Sequence, residues 1–300
     1  MTVPVESETG TAASGREGAR FQETKYTLRL LLSNPISAAG MVGVVFLFCV
    51  MVFAPYIVTH NPLDIHLYDK FLPPSSAHLF GTDHLGRDIF SRVVMGSRIS
   101  LTIGFITLIE STVLGTVIGL FAGYKGGAID SVMMRITDIF LAFPSIILAL
   151  AVAAALGRGL TSVMVALGVT WWPLYARLIR GQTLSIRREQ YIEAARLSGA
   201  GTLRIMYRHI LPNCIAPLMV QVSMDVGFTI LAAAGMGFLG IGAQPPSPDW
   251  GLMCATGSRY LVQQWWLSTF PGLAIFLSVI SFNLLGDGLR DILDPRLRRG

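Results

Sequence analysis

The chain of 300 residues is 52% hydrophobic and only 14% charged, with a mean hydropathy of +0.59 and a formal net charge of +5. A soluble domain carries nearer a quarter charged residues, so the composition excludes a water-exposed globule and calls for a protein that crosses a membrane several times. The three cysteines, Cys49, Cys214 and Cys254, are odd in number and scattered, which excludes a disulfide framework and a cysteine metal motif, and the arginines lie in loops between apolar runs, where they set membrane orientation rather than bind nucleic acid.

Residues 1–34 read as a tail. The first 20 or so are rich in Gly, Ala, Ser, Thr and Glu, with no short apolar run and cleavage site of a signal peptide. Phe21 to Leu32 either lies along the membrane surface or continues the tail, up to Asn34-Pro35. A helix needs about 20 apolar residues to cross the hydrocarbon. On that measure the segment 35–300 holds six spans, near Ile36–Val58, Leu101–Tyr124, Ile136–Leu156, Ser162–Ala176, Ile215–Leu239 and Leu267–Leu285. The fold expected is thus an all-α membrane protein of six transmembrane helices. All but Lys70, Arg87, Arg92, Arg98, Arg158 and Arg259 of the 23 Lys and Arg fall on one side of these spans, which is expected to be the cytoplasm and to hold both termini.

The long loop from Thr59 to Arg98 falls on the other side. Asp88 can cap a helix from Ile89 to Met95, and Asp83, Arg87 and Asp88 read as a solvated loop held by local hydrogen bonds more readily than as a substrate contact. Gly115, Gly119 and Gly123 recur every fourth position in the second span and read as a packing seam. Ionisable residues at membrane depth face protein or water. Arg135 is placed to pair with Asp138 one turn on, while Glu110 and Asp225 are candidates for a polar translocation path, with internal hydrogen bonding as the equal alternative.

The polar interruption, residues 181–213, separates the fourth and fifth spans. Leu184 to Ser198 can form a helix, ended by Gly199-Ala200-Gly201 through the positive φ that glycine accepts. Thr202 then caps a second short helix that Pro212 stops. Helix, tight turn and helix make a shape suited to a groove on a soluble partner.

Those residues resemble a known family. Glu193-Ala194-Ala195, Gly199 and Leu211-Pro212 are similar to the cytoplasmic loop of membrane subunits of binding-protein-dependent ABC importers, with His209 where an aliphatic residue is commoner. Phe80-Gly81-Thr82-Asp83, Gly86-Arg87-Asp88 and Ser91-Arg92 resemble the dipeptide, oligopeptide and nickel branch. So do Leu141-Ala142-Phe143-Pro144, Gly242-Ala243-Gln244-Pro245-Pro246, Pro248-Asp249-Trp250-Gly251 and Asn283 to Asp291. The resemblance implies an importer permease fold in which Glu193, Ala194, Ala195, Gly199, Leu211 and Pro212 form a coupling helix on an ATPase. It further implies a bacterial inner-membrane protein with a second homologous permease, two ATPase subunits and an extracytoplasmic solute-binding protein as partners. The solute is expected to be a di- or oligopeptide, with nickel, glutathione or a sugar as alternatives.

No phosphate loop is present, because Lys25, Lys70 and Lys125 all lack a preceding glycine. No catalytic residues and no cofactor are expected in this chain, and ATP and Mg are expected on the partner ATPases. The five histidines lack ligand spacing; His60 and His66 could touch a metal, but lone loop histidines rarely do, and no metal site is expected. The rival class is an ion-coupled secondary transporter working through Glu110 or Asp225.

Overall fold

The computed structural model describes residues 30–293, and the expected tail over residues 1–29 and the last seven residues lie outside it. Asn34 accepts a hydrogen bond from the Ile36 N–H and Pro35 opens the first helix, α1, Pro35–Ile57. That pairing of a polar cap with proline at the first helical position is a helix start readable from sequence. Asp88 likewise caps α2, Ile89–Lys125, by accepting from the Ser91 N–H at 2.8 Å. The expected short helix Ile89–Met95 and the second span are therefore one helix of 37 residues. At 1.5 Å per residue it is about 55 Å long, well beyond a hydrocarbon core of about 30 Å.

The third expected span is broken. α3, Gly127–Ala142, and α4, Ser145–Leu156, meet at a bend of 93° across Phe143-Pro144. The cause is local: Pro144 lacks an N–H, and its ring drives Phe143 out of the helical region to φ −94°, ψ 143°. α5, Leu160–Ile186, is longer than the expected Ser162–Ala176 and carries Pro173 without breaking. Among the described residues, five helices are long and apolar enough to cross a membrane, and six spans result if the bent pair counts as one.

After α5 the chain turns sooner than the expected helix Leu184–Ser198 requires. Arg187 donates to the carbonyl oxygens of Gly123, at 2.7 Å, and Tyr124, holding the turn against the end of α2, and α6, Gln190–Leu197, starts afresh. α7, Thr202–Ile205, follows; its cap is Gly201, and Thr202 makes no capping hydrogen bond, contrary to expectation. Pro212 does not stop it either. The chain passes through a π-helical turn, Met206–Ile210, straight into α8, Leu211–Phe238, and Pro212 sits in the first turn of α8 just after it. α9, Trp250–Ser258, and α10, Trp266–Leu293, complete the described chain.

α2 and α5 pack along the glycine seam. A Cβ on Gly115 would lie 2.5 Å from the Trp172 carbonyl oxygen and one on Gly119 would lie 2.4 Å from that of Ala176, so both positions admit hydrogen alone. α10 lies between α1 and α8, with Gly40 against the backbone of Leu285 and Gly286 against that of Met224. The main core joins Leu101, Leu108, Tyr175, Ile179, Ile230 and Trp250. Along α1, by contrast, Val42, Val45, Phe46 and Phe53 are exposed, an apolar surface that suits lipid or a neighbouring helix and not water.

Candidate functional site: the polar loop between α5 and α8

The loop is fastened inward and open outward. Ile192, Ile205, Met206 and Ile210 are wholly buried in the main core beside Tyr175, Ile179 and Cys214. The opposite face presents Glu193, Ala194 and Arg196 with three large apolar side chains, Leu197 at 85% exposure, Leu203 at 68% and Tyr207 at 76%. Burying four side chains at about 1.5–3 kcal/mol each holds the loop to the bundle as a rigid unit. Large exposed apolar side chains grouped on one surface are a common feature of contact surfaces.

The turn that joins α6 to α7 is set by glycine. Gly199 has φ +80°, and around it the Gly199 N–H donates to the Arg196 carbonyl and the Ala200 N–H to the Ala195 carbonyl, at 2.9 and 3.0 Å. These two bonds form a Schellman motif, which satisfies carbonyls that the end of the helix would otherwise leave bare. Ser198 adds a hydroxyl bond to the Ala194 carbonyl at 2.9 Å. Arg196 stands over the Tyr124 ring, 5.3 Å from its centre, and so ties the loop to the end of α2. Asn213 joins the two halves by donating to the His209 carbonyl at 2.6 Å and, more weakly, to the Tyr191 hydroxyl. Beside the turn lies an open groove of about 390 Å³ bordered by Ala195, Ser198, Ala200, Arg204, Arg208 and His209, a cationic edge next to the apolar one.

Of the expected loop residues, Glu193, Ala194, Ala195 and Gly199 come together on α6 and its turn. Leu211 and Pro212 lie instead at the head of α8, where they join the loop to a span. The contributions of Arg187, Arg196 and Asn213 escaped the sequence, since their partners are far along the chain or on the backbone.

The two carboxylates within the bundle are placed differently. Asp225, half-buried, accepts from the Tyr175 hydroxyl at 2.8 Å and from Gln221 at 3.0 Å, so its carboxylate is met by internal donors. Glu110 lies against Gly168, where even a Cβ would meet its carboxylate. Asp138 pairs with Arg177 of α5, at 2.6 Å, and not with Arg135; the neighbouring helix brings a guanidinium closer than the same helix does.

The opposite end of the bundle is held by buried charge, against the expectation of a solvated loop. Asp83 and Arg87 are buried and paired, with the Arg87 Nε and Nη2 each 2.7 Å from the same carboxylate. Buried Arg92 donates to the carbonyl oxygens of Pro62, Pro246 and Ser247, stitching three segments together. Asp249 caps α9 through the Leu252 N–H and accepts from Ser100, and burial pushes its carboxyl above the usual range. A hollow of about 450 Å³ lies here between Arg87, Arg92, Phe238, Met253 and Arg259.

A bundle of five or six apolar helices among the described residues, with a polar loop packed against one end, defines a polytopic membrane protein. Comparison with known proteins specifies it further. Residues 115–299 match the family described as binding-protein-dependent transport system inner membrane component, and residues 24–74 match the N-terminal transmembrane domain of oligopeptide transport permease C. The chain is 43% identical over 97% of its length to a probable D,D-dipeptide transport system permease protein of Escherichia coli, covering 97% of that protein. It is 45% identical to a glutathione transport system permease protein of Pectobacterium atrosepticum, with 90% of each chain covered. Against a dipeptide transport system permease protein of Alkalihalophilus pseudofirmus the identity is 41%, covering 89% of this chain and 88% of that one. Among solved structures, a chain of the MetNI methionine ABC transporter in an inward-facing conformation superposes with TM-score 0.52 at 20% identity, covering 67% of this chain and 96% of that one, which establishes the shared fold. The protein belongs to the family of inner membrane components of binding-protein-dependent transport systems.

Proposed function

We propose that this chain is the membrane-spanning subunit of an ATP-driven importer for di- or oligopeptides. The observation that carries the reading is the identity of 41–45%, over nearly the whole chain, to permease proteins named for dipeptides, D,D-dipeptides and glutathione. Those solutes share a short amide backbone with charged ends. The chain has no phosphate loop of its own, so ATP and Mg belong to two partner ATPase subunits, and a second homologous permease and a solute-binding protein complete the machine.

The polar loop is the contact with the ATPase. Glu193, Ala194 and Ala195 form its docking helix, Gly199 its turn, and Leu211-Pro212 its rigid connection to α8. When the ATPases close, the loop moves as a lever. Because Ile192, Ile205 and Ile210 are packed among α2, α5 and α8, the displacement passes to the spans and exposes a central path on the other side. Hydrolysis returns it. The chain supplies contacts that differ between two states and performs no bond chemistry. Both termini then lie in the cytoplasm with the loop. A role for Glu110 and Asp225 along the path is supported only by their depth in the bundle.

Glu193→Lys tests the coupling. In proteoliposomes with the partner subunits, the variant is expected to insert normally and to lose ATP-driven peptide uptake. Uptake at the wild-type rate would remove the coupling role, and wild-type uptake without ATP would replace the whole reading with ion-coupled transport.

A further inference from the structure

The fold gathers three side chains that are far apart in the sequence of the loop between α1 and α2. His60 follows α1, His78 lies midway, and Asp88 caps α2. The His78 Nδ1 is 3.0 Å from the Asp88 Oδ1, the His60 Nδ1 is 3.9 Å from the same oxygen, and the two imidazole rings stand 4.8 Å apart, centre to centre. All three potential donor atoms fall within 4.8 Å of one another.

We propose that His60, His78 and Asp88 bind one divalent transition-metal ion of the zinc class, which clamps this loop onto the first turn of α2. Two imidazole nitrogens and one carboxylate oxygen are a donor set that zinc accepts, and bonds of about 2.0–2.2 Å place tetrahedral donors roughly 3.3–3.6 Å apart. The His78–Asp88 pair is already near that spacing. His60 has to approach by a few tenths of an ångström to about 1 Å, and its side chain, 45% exposed, has room to do so.

The surroundings fit a ligand set better than a plain ion pair. The Asp88 side chain is 1% exposed, and its Oδ2 is committed to the Ser91 N–H, so Oδ1 alone faces both imidazoles. A shared cation answers all three groups at once. The backbone N–H of His60 donates to the Ser91 hydroxyl at 3.0 Å, so the segment of chain bearing His60 is already held beside α2. A hollow of about 60 Å³, bordered also by Asn61, Asp64 and His66, adjoins the three donors. It has room for a water in the fourth position of a three-ligand site.

The full chain in lipid nanodiscs, prepared without a polyhistidine tag and stripped with a chelator, is titrated with Co²⁺ and then Zn²⁺. About one equivalent of Co²⁺ is expected, with the visible bands of a tetrahedral site, displaced by Zn²⁺. Zn²⁺ should also raise the thermal midpoint of the wild type. His60→Ala and His78→Ala should each lose the equivalent and the midpoint shift, whereas His209→Ala, on the polar loop, should keep both. If His78→Ala does not accumulate, His60→Gln reads the same loss from the exposed side of the site. No stoichiometric binding by the wild type, or binding retained in a His60 or His78 variant, overturns the proposal.

Discussion

The backbone at Gly199 stands at φ +80°, where a side chain with a Cβ costs about 1–2 kcal/mol and a β-branched one more. Gly201, two residues on, is at φ −66° and ψ 155°, an extended conformation open to any residue, with no neighbour within 4 Å of a Cβ. The two glycines of one turn therefore predict opposite outcomes. Gly199→Val should weaken retention of the ATPase subunits on affinity capture of the tagged chain, and Gly201→Ala should leave it unchanged. Equal retention by the two variants would mean that the turn geometry has no bearing on docking. At this scale the residues with local partners were legible from sequence. Asp88 and Gly199 each act within three residues of themselves, through a cap and a turn whose chemistry is short-ranged. Asp138 was misread because its guanidinium comes from Arg177, on another helix. The meeting of His60 with His78 was invisible for the same reason.

Helix pairing in a bilayer depends on how closely backbones approach, and the α2–α5 seam shows it. A methyl group on Gly119 would push against the Ala176 carbonyl oxygen at 2.4 Å, with helix backbone on both sides and no flexible side chain to yield. Gly119→Ala is expected to cost about 1–3 kcal/mol through overpacking. It should appear as a lower thermal midpoint in detergent. Gly181→Ala, near the end of the same α5 and with nothing within 4 Å, should hold or slightly raise the midpoint, because alanine favours the helix. The seam itself was readable from the four-residue spacing of Gly115, Gly119 and Gly123. Which prolines break their helices was not. Pro144 ends α3 with a bend of 93°, yet Pro55, Pro173, Pro217 and Pro271 sit inside continuous helices and Pro212 opens one. A proline frees a backbone carbonyl wherever it falls, and neighbouring helices determine whether that group is satisfied in place or the chain turns away.

For the molecule as a whole, the two loop regions lie at opposite ends of the bundle and differ in how their charges are used. Around the polar loop Arg188, Arg204 and Arg208 face outward. At the other end Arg87 and Arg92 are buried against Asp83 and backbone carbonyls. Counting cations by sequence thus understates the asymmetry of exposed charge, which is what an anionic membrane face and the insertion machinery respond to. With Cys49, Cys214 and Cys254 replaced by alanine, Ser198→Cys should react with an impermeant maleimide only after the cells are permeabilised. Tyr68→Cys, at a fully exposed position, should react in intact cells. Labelling in the reverse order would invert the orientation and place the polar loop beyond reach of a cytoplasmic ATPase.

Apolar run length was enough by itself to determine a many-span membrane protein and its helix count within the ambiguity of one bent pair, and the spacing of Glu193, Gly199 and Leu211-Pro212 pointed to its family. Those properties follow from the bilayer as solvent and from chemistry confined to a few neighbouring residues. The tertiary structure alone decided that the helix capped by Asp88 runs unbroken into the second span, that Asp83, Arg87 and Arg92 are buried, that Asp225 is met by Tyr175, and that His60, His78 and Asp88 converge. Each depends on a contact between segments brought together by packing, and for such contacts separation along the chain carries no distance information.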